Sequence, residues 1–124
     1  MRTLRAIAIT LLTATALAGA GAATALAHDE VISTRPSSGS SATTSITKVS
    51  VTFSAPIRRG TLRVVGPDDR VVSVGAGGRD PRKISRLAVG LKSSLRTGSY
   101  KASWTAVAAD GHQQHGSFRF RLRR

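Results

Sequence analysis

Strict alternation of apolar and polar residues is the feature that most limits the folds open to this chain. Tyr100, Ala102, Trp104 and Ala106 alternate with Lys101, Ser103 and Thr105, and Phe118, Phe120 and Leu122 alternate with Arg119, Arg121 and Arg123. Successive side chains on a strand point to opposite faces, so each run describes a strand with one buried and one solvated face. Val49, Val51 and Phe53 repeat the pattern against Lys48, Ser50 and Thr52, and Leu62, Val64, Val72 and Val74 continue it. Turn residues separate the runs: Pro36-Ser37-Ser38-Gly39, Gly66-Pro67-Asp68-Asp69, Gly75-Ala76-Gly77-Gly78, Gly98 and Asp110-Gly111. The reading is about seven strands, over 31–34, 45–53, 61–66, 70–74, 84–89, 98–107 and 116–122. No stretch after residue 27 carries a helical period, so the fold class is all-β, a small antiparallel sandwich or Greek-key barrel. The Ser/Thr-rich stretch 37–47 is expected to be a loop. One core should hold Val49, Val51, Phe53, Tyr100, Trp104, Phe118 and Phe120, with Arg119, Arg121 and Arg123 in solvent.

The first 27 residues read differently. Arg2 and Arg5 precede an apolar run from Ala6 to about Leu17, and small residues lead to Ala25-Leu26-Ala27. That is the layout of a secretory signal peptide ending in a small-x-small cleavage site. Threonines and glycines dilute the run, and it is shorter than the roughly 20 residues a spanning helix needs. The expected organisation is a signal peptide over 1–27 and one domain over 28–124, exported as a soluble protein to the periplasm or the exterior. Removing residues 1–27 leaves 97 residues, enough for one modest core. With no cysteine, this domain must be stable without disulfides, and cysteine-based metal or redox chemistry is excluded.

The full chain has a formal charge of +13, and losing Arg2 and Arg5 lowers it to +11. Such a balance favours anionic surfaces such as lipid headgroups, cell-wall polymers or nucleic acid. The cations lie mostly singly between apolar residues from Arg35 to Arg124, which reads as a solvated basic exterior. One Trp, one Tyr and three Phe leave little surface for stacking bases, so no specific nucleic-acid partner is expected.

Chemistry concentrates in Asp110-Gly111-His112. Two apart on an extended backbone, Asp110 and His112 would point to the same side and could grip one ion. Asp-Gly is also a common turn, so the motif alone carries little. Cleavage before His28 adds weight, because it frees an α-amine beside an imidazole. Such amines have a pKa of about 7.7–8.0, low enough for a metal to displace the proton near neutrality. Amine and Nδ1 of His28, an oxygen of Asp110 and a nitrogen of His112 make a three-nitrogen, one-oxygen set suited to tetragonal Cu(II). His115, three residues beyond His112, should face away from a shared ion and is read as solvated or supporting.

Taken in order, several segments resemble the CopC-type copper-resistance domain, the periplasmic copper-carrier family. They are His28 followed by Thr34-Arg35-Pro36-Ser37-Ser38-Gly39, then Val51-Thr52-Phe53-Ser54-Ala55-Pro56. Next come Gly98-Ser99-Tyr100 with Trp104, Ala109-Asp110-Gly111-His112, and Gly116-Ser117-Phe118-Arg119-Phe120. The resemblance implies an immunoglobulin-like β-sandwich that binds Cu(II) through His28, Asp110 and His112. Gln113 stands where Pro often follows the Asp-Gly-His, and Ala55 where an acidic residue is frequent. Met1 is the single methionine, so the Met-rich Cu(I) site of some members cannot form.

The expected function is therefore non-enzymatic: a monomeric exported protein that sequesters copper or passes it to a membrane copper transporter, in resistance or homeostasis. Two other readings stand beside it. One is a small copper mono-oxygenase-like enzyme, for which 97 aromatic-poor residues leave little substrate face. The other is a basic module for anionic polymers, in which the histidines are incidental.

Overall fold

The computed structural model describes residues 30–124, so the signal peptide expected over 1–27 and the candidate ligand His28 lie outside the described residues. Eight strands follow: β1 (Val31–Arg35), β2 (Ser41–Thr43), β3 (Lys48–Phe53), β4 (Ile57–Val65), β5 (Ser73–Asp80), β6 (Lys83–Leu91), β7 (Gly98–Ala108) and β8 (Gln113–Arg123). They form two four-stranded sheets, ordered β1-β3-β6-β5 and β2-β8-β7-β4, packed as a sandwich. The one helical piece among the described residues is a short 3-10 turn at Pro67–Asp69, and no helix there is long and apolar enough to cross a membrane.

Alternation places the core as expected. Val49, Val51 and Phe53 of β3 face Tyr100, Trp104, Phe118 and Phe120 across the sandwich, joined by Leu62, Val64, Leu87 and Leu122. Phe53 meets Trp104 edge-on at 4.9 Å, and Tyr100 stacks on Phe120 at 5.5 Å. Both are favourable arrangements for ring quadrupoles. The buried Tyr100 hydroxyl donates to the Arg96 carbonyl at 2.6 Å, which satisfies its polar end. Gly116 lies directly opposite Trp104, and a Cβ there would sit 2.6 Å from indole Cζ2. The glycine makes room for the indole.

Three expectations need correction. The stretch 37–47 is not all loop: β2 runs parallel to β8, with Ser41, Ala42 and Thr43 beside Arg121, Leu122 and Arg123. The β2-β8-β7-β4 sheet is therefore mixed, while the β1-β3-β6-β5 sheet is antiparallel throughout. A three-residue Ser-Ala-Thr strand has no alternation to read; what holds it is backbone pairing, including Gly39 N–H to the Arg119 carbonyl at 2.7 Å and Arg121 N–H to the Ser40 carbonyl at 2.9 Å. Second, Gly75-Ala76-Gly77-Gly78 is not a turn between strands. It lies inside β5, where the pairing jumps from Val74↔Gly90 to Gly78↔Ala88. Gly75 and Gly77 take φ of +71° and +65°, so the glycines permit a bulge. The turn itself is Pro81-Arg82, closed by Arg82 N–H on Asp80 Oδ1 at 2.9 Å. Third, β4 begins at Ile57 and not at residue 61, because buried Ile57 pairs with Ala108 and a bulge at Arg58 shifts the register before Arg59 pairs with Val107.

Candidate metal centre

The β7–β8 connection, from Ala109 to His112, carries the candidate residues. The Ala108 N–H donates to the His112 carbonyl at 2.9 Å, and the Gly111 N–H to the Ala108 carbonyl at 3.0 Å. Gly111 takes a φ of +90°, a conformation that other residues adopt only with strain. Asp110 and His112 therefore meet through a turn and not along a strand, as the sequence reading had supposed. The result is closer contact. Asp110 Oδ1 accepts the His112 backbone N–H at 3.0 Å, and Oδ2 lies 2.7 Å from His112 Nδ1.

This contact fixes the chemistry of both groups. The His112 backbone N–H, followed by its imidazole, holds the Asp110 carboxyl below the usual carboxylate range. Ionised, Asp110 only accepts hydrogen bonds, so Nδ1 of His112 must be the donor. In the neutral ring that leaves Nε2 as a bare lone pair. A carboxylate that orients a histidine and raises its basicity is the usual support for a metal ligand. Each Asp110 oxygen uses one lone pair on His112 and keeps another. Both side chains are more than half exposed, so the pair is open to an ion from solvent.

Among the described residues no cluster of three or more His, Cys, Asp or Glu side chains could hold a metal. The pair is thus an incomplete donor set. His115 lies elsewhere, exposed on the outer face of β8 opposite Thr105, as strand alternation requires. One arrangement was not visible in the sequence. Glu30 and Ser54 are tied twice, Glu30 N–H to Ser54 Oγ at 2.9 Å and Ser54 N–H to the Glu30 carbonyl at 2.8 Å. Ser54 directly follows β3, and three residues later Ile57 opens β4 beside Ala108, at the foot of the Asp110 turn. The chain therefore enters the sandwich at the end that carries Asp110 and His112.

The profile of the CopC domain matches residues 31–123. The chain belongs to the CopC domain family. Among curated proteins, this CopC domain is similar to Protein YobA of Escherichia coli K12, 24% identical over 99 residues that cover 78% of this chain and 80% of that protein. Among solved structures it is similar to CopC of Methylosinus trichosporium OB3b, with a TM-score of 0.64 and 19% identity, covering 77% of this chain and 93% of that one. It is also similar to PcoC of Escherichia coli, described as a methionine-rich copper resistance protein. There the TM-score is 0.61 and the identity 25%, covering 78% of this chain and all of PcoC. The likeness to the Methylosinus structure speaks to the fold alone, and the immunoglobulin-like sandwich expected from the sequence is the fold found.

Proposed function

We propose that this CopC domain is an exported copper-binding protein that holds one Cu(II) and sequesters or delivers it without catalysis. Membership of the family and the likeness to PcoC support copper as the cargo. The oxidation state is argued from the donors. Met1 is the sole methionine, so a thioether site for Cu(I) has no ligands, whereas nitrogen and carboxylate donors suit Cu(II).

The observation that carries the reading is the Asp110–His112 pair, with Nδ1 engaged and Nε2 available, at the end where the chain enters. His28 stands two residues before Glu30, a reach of at most roughly 7 Å of extended chain. Cleavage after Ala27 would make it the first residue, and its amine and imidazole would complete a set with His112 nitrogen and Asp110 oxygen. A membrane copper transporter outside the cytoplasm is the natural recipient.

The test is a copper competition titration on protein beginning at His28 and on protein with one residue added before it. An extra residue turns the amine into a peptide nitrogen, which ligates poorly near neutrality. Tight binding of one Cu(II) by the first and much weaker binding by the second is the expected result. Equal affinities would sink the assignment of His28, and intact mass of the exported protein checks the cut independently.

A further inference from the structure

Cations that are scattered in the sequence are gathered by the fold. Arg59 and Arg63 on β4, Lys101 on β7, and Arg119, Arg121 and Arg123 on β8 all occupy outward positions of one sheet, and all are exposed. Hydroxyl side chains, among them Thr61, Ser103 and Ser117, fill positions between them. The described carboxylates lie elsewhere: Glu30 and Asp110 at one end, Asp68 and Asp69 in the 3-10 turn, and Asp80 in the other sheet. Among the described residues, every ion pair involves Arg86, Arg96 or His112, so none of these six cations has a carboxylate partner.

The arrangement opposes itself. Lys101 and Arg119 are direct cross-strand neighbours, and like charges so placed are destabilising. Arg119, Arg121 and Arg123 follow one another at every second position of the same strand face. Nothing within the sheet offsets this repulsion, and an external array of anions would.

We propose that the outer face of the β8-β7-β4 layer docks on an anionic phospholipid surface. The cations spread over three adjacent strands in two dimensions, which matches a plane of headgroups better than a single row of phosphates along a polymer. Among the described residues the outward positions of this face carry no Phe, Tyr or Trp and only the His115 imidazole as a ring, so it is poor in the stacking groups that single-stranded nucleic acid needs. Docked this way, the β7–β8 turn with Asp110 and His112 lies at the rim of the contact, beside the bilayer. This inference stands on the sheet face alone and is independent of the copper reading.

The experiment is sedimentation of the purified protein with vesicles of phosphatidylglycerol mixed into phosphatidylcholine, and with vesicles of phosphatidylcholine alone. Binding should need the anionic lipid and fall as salt is raised. The triple variant R119Q/R121Q/R123Q should bind on the order of 100-fold more weakly, at about fivefold per cation near the surface. The variant R35Q/R82Q/K83Q loses the same charge from exposed positions outside this face and should retain most of the binding. A circular dichroism melt of each variant confirms that it is folded. Equal losses in both variants would show attraction by net charge only and overturn the proposal. So would absence of vesicle binding, whether or not the protein binds nucleic acid or a wall polymer.

Discussion

At the scale of single residues, the copper reading depends on what Asp110 does to His112. Replacing His112 by Ala removes a nitrogen donor and should cost the most affinity for Cu(II). Asp110→Asn keeps the shape of the side chain but removes the charge that holds Nδ1 as a donor. Loss of such a supporting group typically weakens metal binding 10–100-fold. A titration in which Asp110→Asn bound as tightly as the parent would show that the carboxylate neither ligates nor orients. The pair also predicts a pH effect with a definite sign. The Asp110 carboxyl is held below its ordinary value, so its contribution to the turn is complete above the usual carboxylate value of about 3.9. It is lost as pH falls through the lower folded value. The Asp110 side-chain carboxyl carbon resonance, followed by NMR from neutrality downwards, should show its own protonation step only in that acid range. Movement between pH 7 and 5 caused by Asp110 titration would contradict the geometry.

At the scale of elements, legibility followed burial. Strands β3, β7 and β8 were plain in the sequence because each turns apolar residues to the core at every second position, although Ser50 and Thr52 on the other face of β3 are buried and not solvated as expected. β2 was illegible because its contribution is backbone hydrogen bonds to β8, which any small polar residues can make. The glycines of β5 were misread because a bulge and a turn need the same backbone freedom. The site was half legible: Asp110-Gly111-His112 gave the donors, but the close contact between them comes from the turn, and the proximity of the entering chain comes from pairing between distant residues. Gly116 offers an element-level test. Gly116→Ala drives a methyl group into Trp104, and overpacking of this kind typically costs about 1–3 kcal/mol. A thermal melt should show the loss, with a change in tryptophan fluorescence. An unchanged melting temperature would mean that the indole has another position open to it.

At the scale of the molecule, a strongly basic sandwich without disulfides carries its own repulsion. Salt shortens the range of that repulsion to about 10 Å at 0.1 M, so the melting temperature should rise as sodium chloride is added from very low ionic strength. A fall over the same range would mean that the few ion pairs outweigh the excess cations.

The position of β8 has a consequence for the order of folding. It comes last among the eight strands yet lies inside its sheet, held by β7 on one side and by β2, some eighty residues earlier, on the other. Phe118, Phe120 and Leu122 reach the core only when this strand arrives. A chain shortened before Gln113 should therefore stay unfolded by circular dichroism, and nascent protein cannot close its second sheet until β8 has been made. Pairings between such distant segments are slow to form. If the chain is exported through a membrane pore, as proposed, late closure would keep it pliable during transit and reserve cooperative folding for the far side.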